Sequence, residues 1–335
     1  MFRISAVARA GVIALAAGLT VSSPAHATLA LTTDGIADGF ILTTFVSGYN
    51  FGGTYGPLAQ GIAPNGQVIT GSMGSDRIYT FNDVDGQTLA SATSATPYTF
   101  TTGNPNWAMT TAAGQVYGAQ LFGGTYEHFA SDGTFTPIAG LQTAGLSDFL
   151  GMWGNPSNGH ILSASESGLV DINPVAGTFR TIVSGLFPDG VSVSPDGTKA
   201  YVEVGGNILA YDIATGTLLH TYSGNGHSPD GTGVISGGTF NGDIVVNDND
   251  GTVGLINPTL GVEDIIASGG SRGDFVSPDT SNGTLFVSQY ELVDRLSCGT
   301  GCSIGGGGGH SVPEPASLAL LSVGLVGVWL SRRRT

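Results

Sequence analysis

A four-strand unit recurs along this chain, and it limits the fold more than any other feature. Its clearest copy, residues 190–224, reads GVSVSPDG, TKAYVEVGG, NILAYDIATG and TLLHTYSG. Each piece is a short alternating or β-branched run that ends on Gly, Asn, Asp or Pro, the pattern of strand and turn. Equivalent units start near Gly61, Asn106, Gly151, Gly231 and Asp274. Their third strands align as DRIYTFND, GTYEHFASDG, SGLVDINPVAG, NILAYDIATG, GTVGLINPTLG and YELVDRLSCGTG. A spacing of about 40–45 residues is the scale of one propeller blade.

The sixth unit, 274–302, holds only three strands. The missing fourth stands at the front: GFILTTFVSG, residues 39–48, carries the fourth-strand pattern and precedes the first unit. An N-terminal strand that completes the last blade closes a circular array and leaves no long raw sheet edge. The expected fold is therefore all-β, a six-bladed β-propeller. Seven blades or an irregular sandwich are the alternatives. Closure requires residues 41–46 to pair with 291–297.

Both chain ends carry addresses rather than fold. Arg3 and Arg9 precede an apolar stretch, 11–21, and the A-x-A site Ala25-His26-Ala27. This is the pattern of a secretory signal peptide, with Thr28 as the first mature residue. At the other end stand Val312, Pro313, Glu314 and Pro315, then a 15-residue apolar run, 316–330, then Arg332, Arg333 and Arg334. That run is at or below the short limit for a membrane helix, about 17–25 residues. Three arginines behind it favour a stop-transfer tail with its basic end in the cytoplasm. This motif order resembles the PEP-CTERM sorting signal. The resemblance implies an exported protein, held in the inner membrane by its tail, processed by an exosortase and linked to exopolysaccharide matrix at the cell surface. A plain uncut anchor is the alternative. The chain thus divides into a signal peptide (1–27), a propeller (28–303), a glycine-rich linker (304–311) and a sorting tail (312–335) with a membrane helix at 316–330.

Between the processed ends lie five basic residues against 24 acidic ones, a net charge near −19, with Lys199 the sole lysine. Such a surface repels nucleic acid and anionic membrane. It suits solubility outside the cell or the capture of cations. Export favours a small-loop disulfide between Cys298 and Cys302. A zinc site there would have too few ligands.

In propellers, ligands gather where the innermost strands begin. The residues read at those positions are Gln60, Asn106, Asp148, Asp189, Asp230 and Asp274. Converging carboxylates raise one another's pKa unless a cation joins them. Oxygen-rich surroundings without imidazole favour a hard ion such as Ca²⁺. The competing reading makes these residues turn formers in a wet channel.

The phrase VSPDGTKAYV, 193–202, resembles the first-to-second strand turns of lactonase-like, NHL and YVTN propellers. Asp189-Gly190 inside PDGVSVSPDG resembles the gluconolactonase and regucalcin family. That resemblance implies metal binding and lactone hydrolysis by Asp189. The family's pattern also asks for a glutamate at the start of the first blade, where this chain has Gln60. Asn247-Asp248-Asn249-Asp250-Gly251 looks like part of a calcium loop but lacks the downstream glutamate of an EF-hand, so a hairpin turn is favoured. Asn82-Asp83-Val84-Asp85-Gly86 has the same standing. Arg272-Gly273-Asp274 is a chance integrin-type tripeptide. His128, His160, His220 and His227 are scattered, with no Ser/His/Asp order around them. The expected role is a non-catalytic binding or structural protein of the envelope or matrix, partnered by exosortase, polysaccharide or another envelope protein. A metal-dependent lactonase-like hydrolase is the second reading.

Overall fold

The computed structural model describes residues 28–49, 56–72, 74–75, 77–98, 107–120, 125–141, 149–165 and 167–299. The expected signal peptide, Asn106, Asp148, Cys302, the expected linker and the sorting tail lie outside them. Among the described residues no helix is long and apolar enough to cross a membrane.

The repeated units form six antiparallel sheets. Blade one holds Pro57–Ile62, Val68–Ser72, Arg77–Phe81 and Ser94–Pro97. Blade two holds Trp107–Ala112, Gln115–Gln120, Tyr126–Phe129 and Phe135–Pro137, and blade three Phe149–Gly154, Ile161–Ser165, Gly168–Asn173 and Thr178–Ser184. Blade four holds Val191–Val193, Lys199–Val204, Asn207–Asp212 and Leu218–Ser223. Blade five holds Pro229–Val234, Ile244–Asp248, Val253–Asn257 and Val262–Ser268, and blade six begins with Gly273–Asp279, Thr284–Gln289 and Leu292–Cys298. The first strands of the six blades pack side by side in a closed ring, blade six against blade one.

Burial falls from the axis outward. Pro57–Ile62 and Pro229–Val234 are buried along their whole length, because neighbouring blades cover both faces. The outermost strands, such as Leu218–Ser223, are mostly exposed. Apolar packing runs between blades: Val116 and Met109 of blade two lie in one cluster with Leu58 and Ile69 of blade one.

The N-terminal strand Phe40–Ser47 completes blade six, with Ile41 opposite Ser297 and Val46 opposite Val293. Closure is therefore the one read from the sequence. Two additions reinforce it. Ala30–Leu31 first pairs with Val262–Ser268 on the outer edge of blade five, and a single helical turn, Thr33–Ala37, then carries the chain across. Thr32 caps that turn by accepting from Gly35 N–H at 3.1 Å. Gln87–Thr88, from blade one, adds in parallel to Phe40–Ser47.

A buried arginine holds the seam. Arg295, 3% exposed, donates to Asp279, Asp83 and Asp85, the last at 2.7 Å. Its guanidinium lies 4.7 Å and 5.0 Å from the ring centres of Phe286 and Phe45. Asp83 also accepts from Ser281 and Asn282, and Asp85 from Thr43. The 82–86 turn, which connects strands of two different sheets and is not a hairpin, thus fastens blade one to blade six. Cys298, at the end of the last strand, is disulfide-bonded.

Candidate functional site

Asp189, Asp230 and Asp274 come together, although about 40 residues of chain separate each from the next. Two local devices produce this. The first is a bulge at the head of the inner strand. In blade five Pro229 pairs with Asp248 and Gly231 with Asn247, which leaves Asp230 as the extra residue. In blade six the register slips between Gly273 and Val276, around Asp274. A bulge turns one side chain out of the ladder, a common way of aiming a functional group.

The second device is glycine. A Cβ on Gly151 would collide with the backbone of Asp189–Val191, one on Gly190 with Asp230 O, and one on Gly231 with Asp274 O. At each seam a glycine lets the next blade's aspartate approach closely. The Asp-Gly pairs at 189–190 and 230–231 therefore serve two blades at once: the aspartate faces the site and the glycine admits its neighbour.

The cluster carries its own counter-charge. Arg272 Nη2 donates to Asp230 Oδ2 at 2.7 Å, and Nη1 reaches Asp274 Oδ2 at 3.3 Å. Asn249 also bonds the Asp230 carboxyl, and Glu203 stands close to both Asp189 and Asp230. Burial pushes Asp189 up to about 8, helped by the charges of Asp230 and Glu203 and by a hydrogen bond to Asp230. Burial likewise raises Glu203 to about 7. Asp274 is held well above the carboxylate range by burial and by Asp230. Asp230 is raised by burial against the pull of Arg272. Asp189 and Asp230 are joined by a carboxyl–carboxyl hydrogen bond, which requires a proton on one of them. The site thus offers an acid proton, acceptor oxygens and a guanidinium side by side.

Gln60 takes no part in this group. It is the fourth residue of its strand and fully buried. Its amide donates to Leu58 O and, at 3.1 Å, to Ser288 Oγ. The register slips between Pro57 and Gln60, so the place that Asp274 holds in blade six falls to Leu58 in blade one. Asn106 and Asp148 lie outside the described residues. A hard cation fits this donor set poorly: a guanidinium already bridges two of the three described aspartates, and blade one offers an apolar side chain.

Sequence reading missed Arg272, Glu203 and Asn249. Arg272 carried a usable signal, since it is one of only five basic residues within 28–303 and stands two residues before a strand-start aspartate. Asn249 stands inside the 247–251 turn, whose pattern points to a hairpin and not to Asp230, and Glu203 carries nothing distinctive in sequence.

The PEP-CTERM protein-sorting motif matches residues 311–334. Among the curated proteins, none matches the chain in sequence. Solved structures match through the fold. A gluconolactonase from Xanthomonas campestris aligns at TM-score 0.58 and 14% identity, over 80% of this chain and 94% of that one. A streptogramin B lyase aligns at 0.51 and 12%, over 78% and 98%. The WD40 propeller domain of Doa1 aligns at 0.54 and 17%, over 74% and 81%. At such identities the likeness establishes the propeller architecture alone.

Proposed function

We propose that this chain is an exported, surface-sorted propeller that binds a neutral polysaccharide of the envelope or matrix through the Asp189–Asp230–Asp274–Arg272 cluster, without turning it over. One observation carries the reading: Arg272 bridges Asp230 and Asp274, so the acidic cluster balances its charge internally. The acid proton and Arg272 donate, and the carboxyl oxygens accept. Hydroxyl groups need both kinds of partner at close spacing. The net charge near −19 between the processed ends disfavours an acidic polymer. The sorting motif supports export, exosortase processing and a membrane-held precursor; cleavage after Ala27, the membrane helix at 316–330 and release to the surface belong to this proposal.

Affinity electrophoresis of the full-length protein tests it. Dextran in the gel should retard the wild type and not an Asp189→Asn/Asp230→Asn variant, and alginate should retard neither. Unchanged migration in dextran, or retardation by alginate alone, contradicts the reading.

A lactonase-like hydrolase is the second reading. It is favoured by Asp189, whose pKa of about 8 would let it exchange a proton near neutrality. It is opposed by the apolar Leu58 at the equivalent place in blade one and by the spent amide of Gln60.

A further inference from the structure

A second polar cluster lies beside the first, on the opposite side of the hairpin 247–251. That hairpin alternates. Asn247 bonds Phe275 O, Ser288 O and Gln289, and Asn249 bonds Asp230, all toward blade six or the strand-start aspartates. Asp248 and Asp250 turn the other way, toward His227 on the loop that enters blade five. Asn249 N–H donates to Ser228 O at 2.8 Å and ties the two loops together.

We propose that His227, Asp248 and Asp250 hold one first-row divalent transition-metal ion, Zn²⁺ foremost. Donor atoms of the three residues lie within 4.8 Å of one another. His227 Nδ1 is 2.8 Å from Asp250 Oδ2 and 3.1 Å from the Thr252 hydroxyl. That hydroxyl also lies 2.6 Å from Asp250 Oδ1 and 3.0 Å from Asp248 Oδ2, with one proton to share between them, so it marks the centre of the group.

An independent observation points to a ligand. Asp248 is fully buried, yet its Oδ1 has no hydrogen-bond partner among the described residues. Glu263, whose charge bears on Asp248, repeats the pattern: Oε2 accepts from Asn225 at 3.0 Å and Oε1 is buried with no partner. Leaving such oxygens bare inside a protein is destabilising. The two buried clusters of several acids described above each contain an arginine, Arg272 or Arg295. Here the positive contribution to the surroundings of Asp248, Asp250 and Glu263 comes from His227 alone among the described residues.

The donor set selects the metal. One imidazole nitrogen with carboxylate oxygens suits zinc and its neighbours, whereas Ca²⁺ prefers six to eight oxygens. His227 is thus the residue that separates this site from a calcium loop. The site does not depend on the polysaccharide reading, because it uses none of the strand-start aspartates.

Isothermal titration of the full-length chain, stripped with a chelator, tests the assignment with ZnCl₂ and CaCl₂. The wild type should take up one Zn²⁺ per chain. His227→Gln and Asp250→Asn, both at partly exposed side chains, should each bind it at least tenfold more weakly with an unchanged circular dichroism spectrum. Asp189→Asn should bind as the wild type does, which separates this site from the channel. Bound Co²⁺ should show a visible absorption band that His227→Gln alters. Absence of Zn²⁺ uptake, wild-type affinity in both variants, or preference for Ca²⁺ over Zn²⁺ would overturn the proposal.

Discussion

Arg272 and Asp230 form an ion pair at 2.7 Å, with Asp230 only 4% exposed. The two residues stand 42 positions apart, at the heads of successive blades. The pair explains how a ring of acids persists in a mostly buried place. Charges that desolvated are tolerated when paired, and truncating one partner bares the other.

Arg272→Met should therefore destabilise the protein by roughly 2–3 kcal/mol, less than a fully buried pair because the arginine is about one-third exposed. Urea unfolding measures this. The bared acids should then recruit a cation, so Ca²⁺ should raise the Tm of this variant and leave the wild type unmoved. An equal calcium response in both proteins would show that Arg272 is not the counter-charge.

Arg295→Met strikes the seam. It leaves Asp83, Asp85 and Asp279 facing one another with Asp279 fully buried. A loss of about 3–5 kcal/mol is expected. Because the seam joins blade one to blade six, limited proteolysis should cut first near residues 38–48. A variant as stable as the wild type would mean that strand pairing alone closes the ring.

Gly231→Ala should be far more damaging than a mutation of one methyl group suggests. The added carbon would meet Asp274 O, a backbone atom that cannot swing aside. The seam between blades five and six should open, with a fall in Tm of more than about 5 °C. Gly242→Ala, whose added carbon meets nothing, serves as the comparison despite its positive φ. Equal losses in both would remove the close-approach argument.

Acid should stabilise this protein down to about pH 4. Burial raises Glu127, Glu203 and Asp294 to about 7, Asp243 to about 6 and Asp189 to about 8. Between pH 4 and 8 the folded chain therefore holds more protons than the unfolded one, and stability falls as pH rises. Calorimetry should give a higher Tm at pH 5 than at pH 8; a flat or rising profile would contradict the burial of these groups.

The fold was legible because its signal is local and repeated. Alternation in NILAYDIATG or SGLVDINPVAG specifies a strand by itself, and GFILTTFVSG matched the fourth-strand pattern closely enough to reveal the closure. Ala30–Leu31 and Gln87–Thr88 were not legible, since two residues carry no period. The site was legible only in part. Asp189, Asp230 and Asp274 recur in register with the blades, so counting finds them. Gln60 was misplaced by the bulge, which shifts the equivalent position to Leu58. Arg272 and His227 act on residues that the fold brings near, and no sequence period announces such a pairing.

A propeller that binds without turnover leaves lactones intact, and a hydrolysis assay reads this out. A pH-stat assay of five- and six-membered aldonolactones should use the full-length protein, stripped and then supplied with Ca²⁺ or Zn²⁺. Rates should equal the protein-free background under every condition. Saturable hydrolysis that Asp189→Asn abolishes would contradict this and make this chain an enzyme.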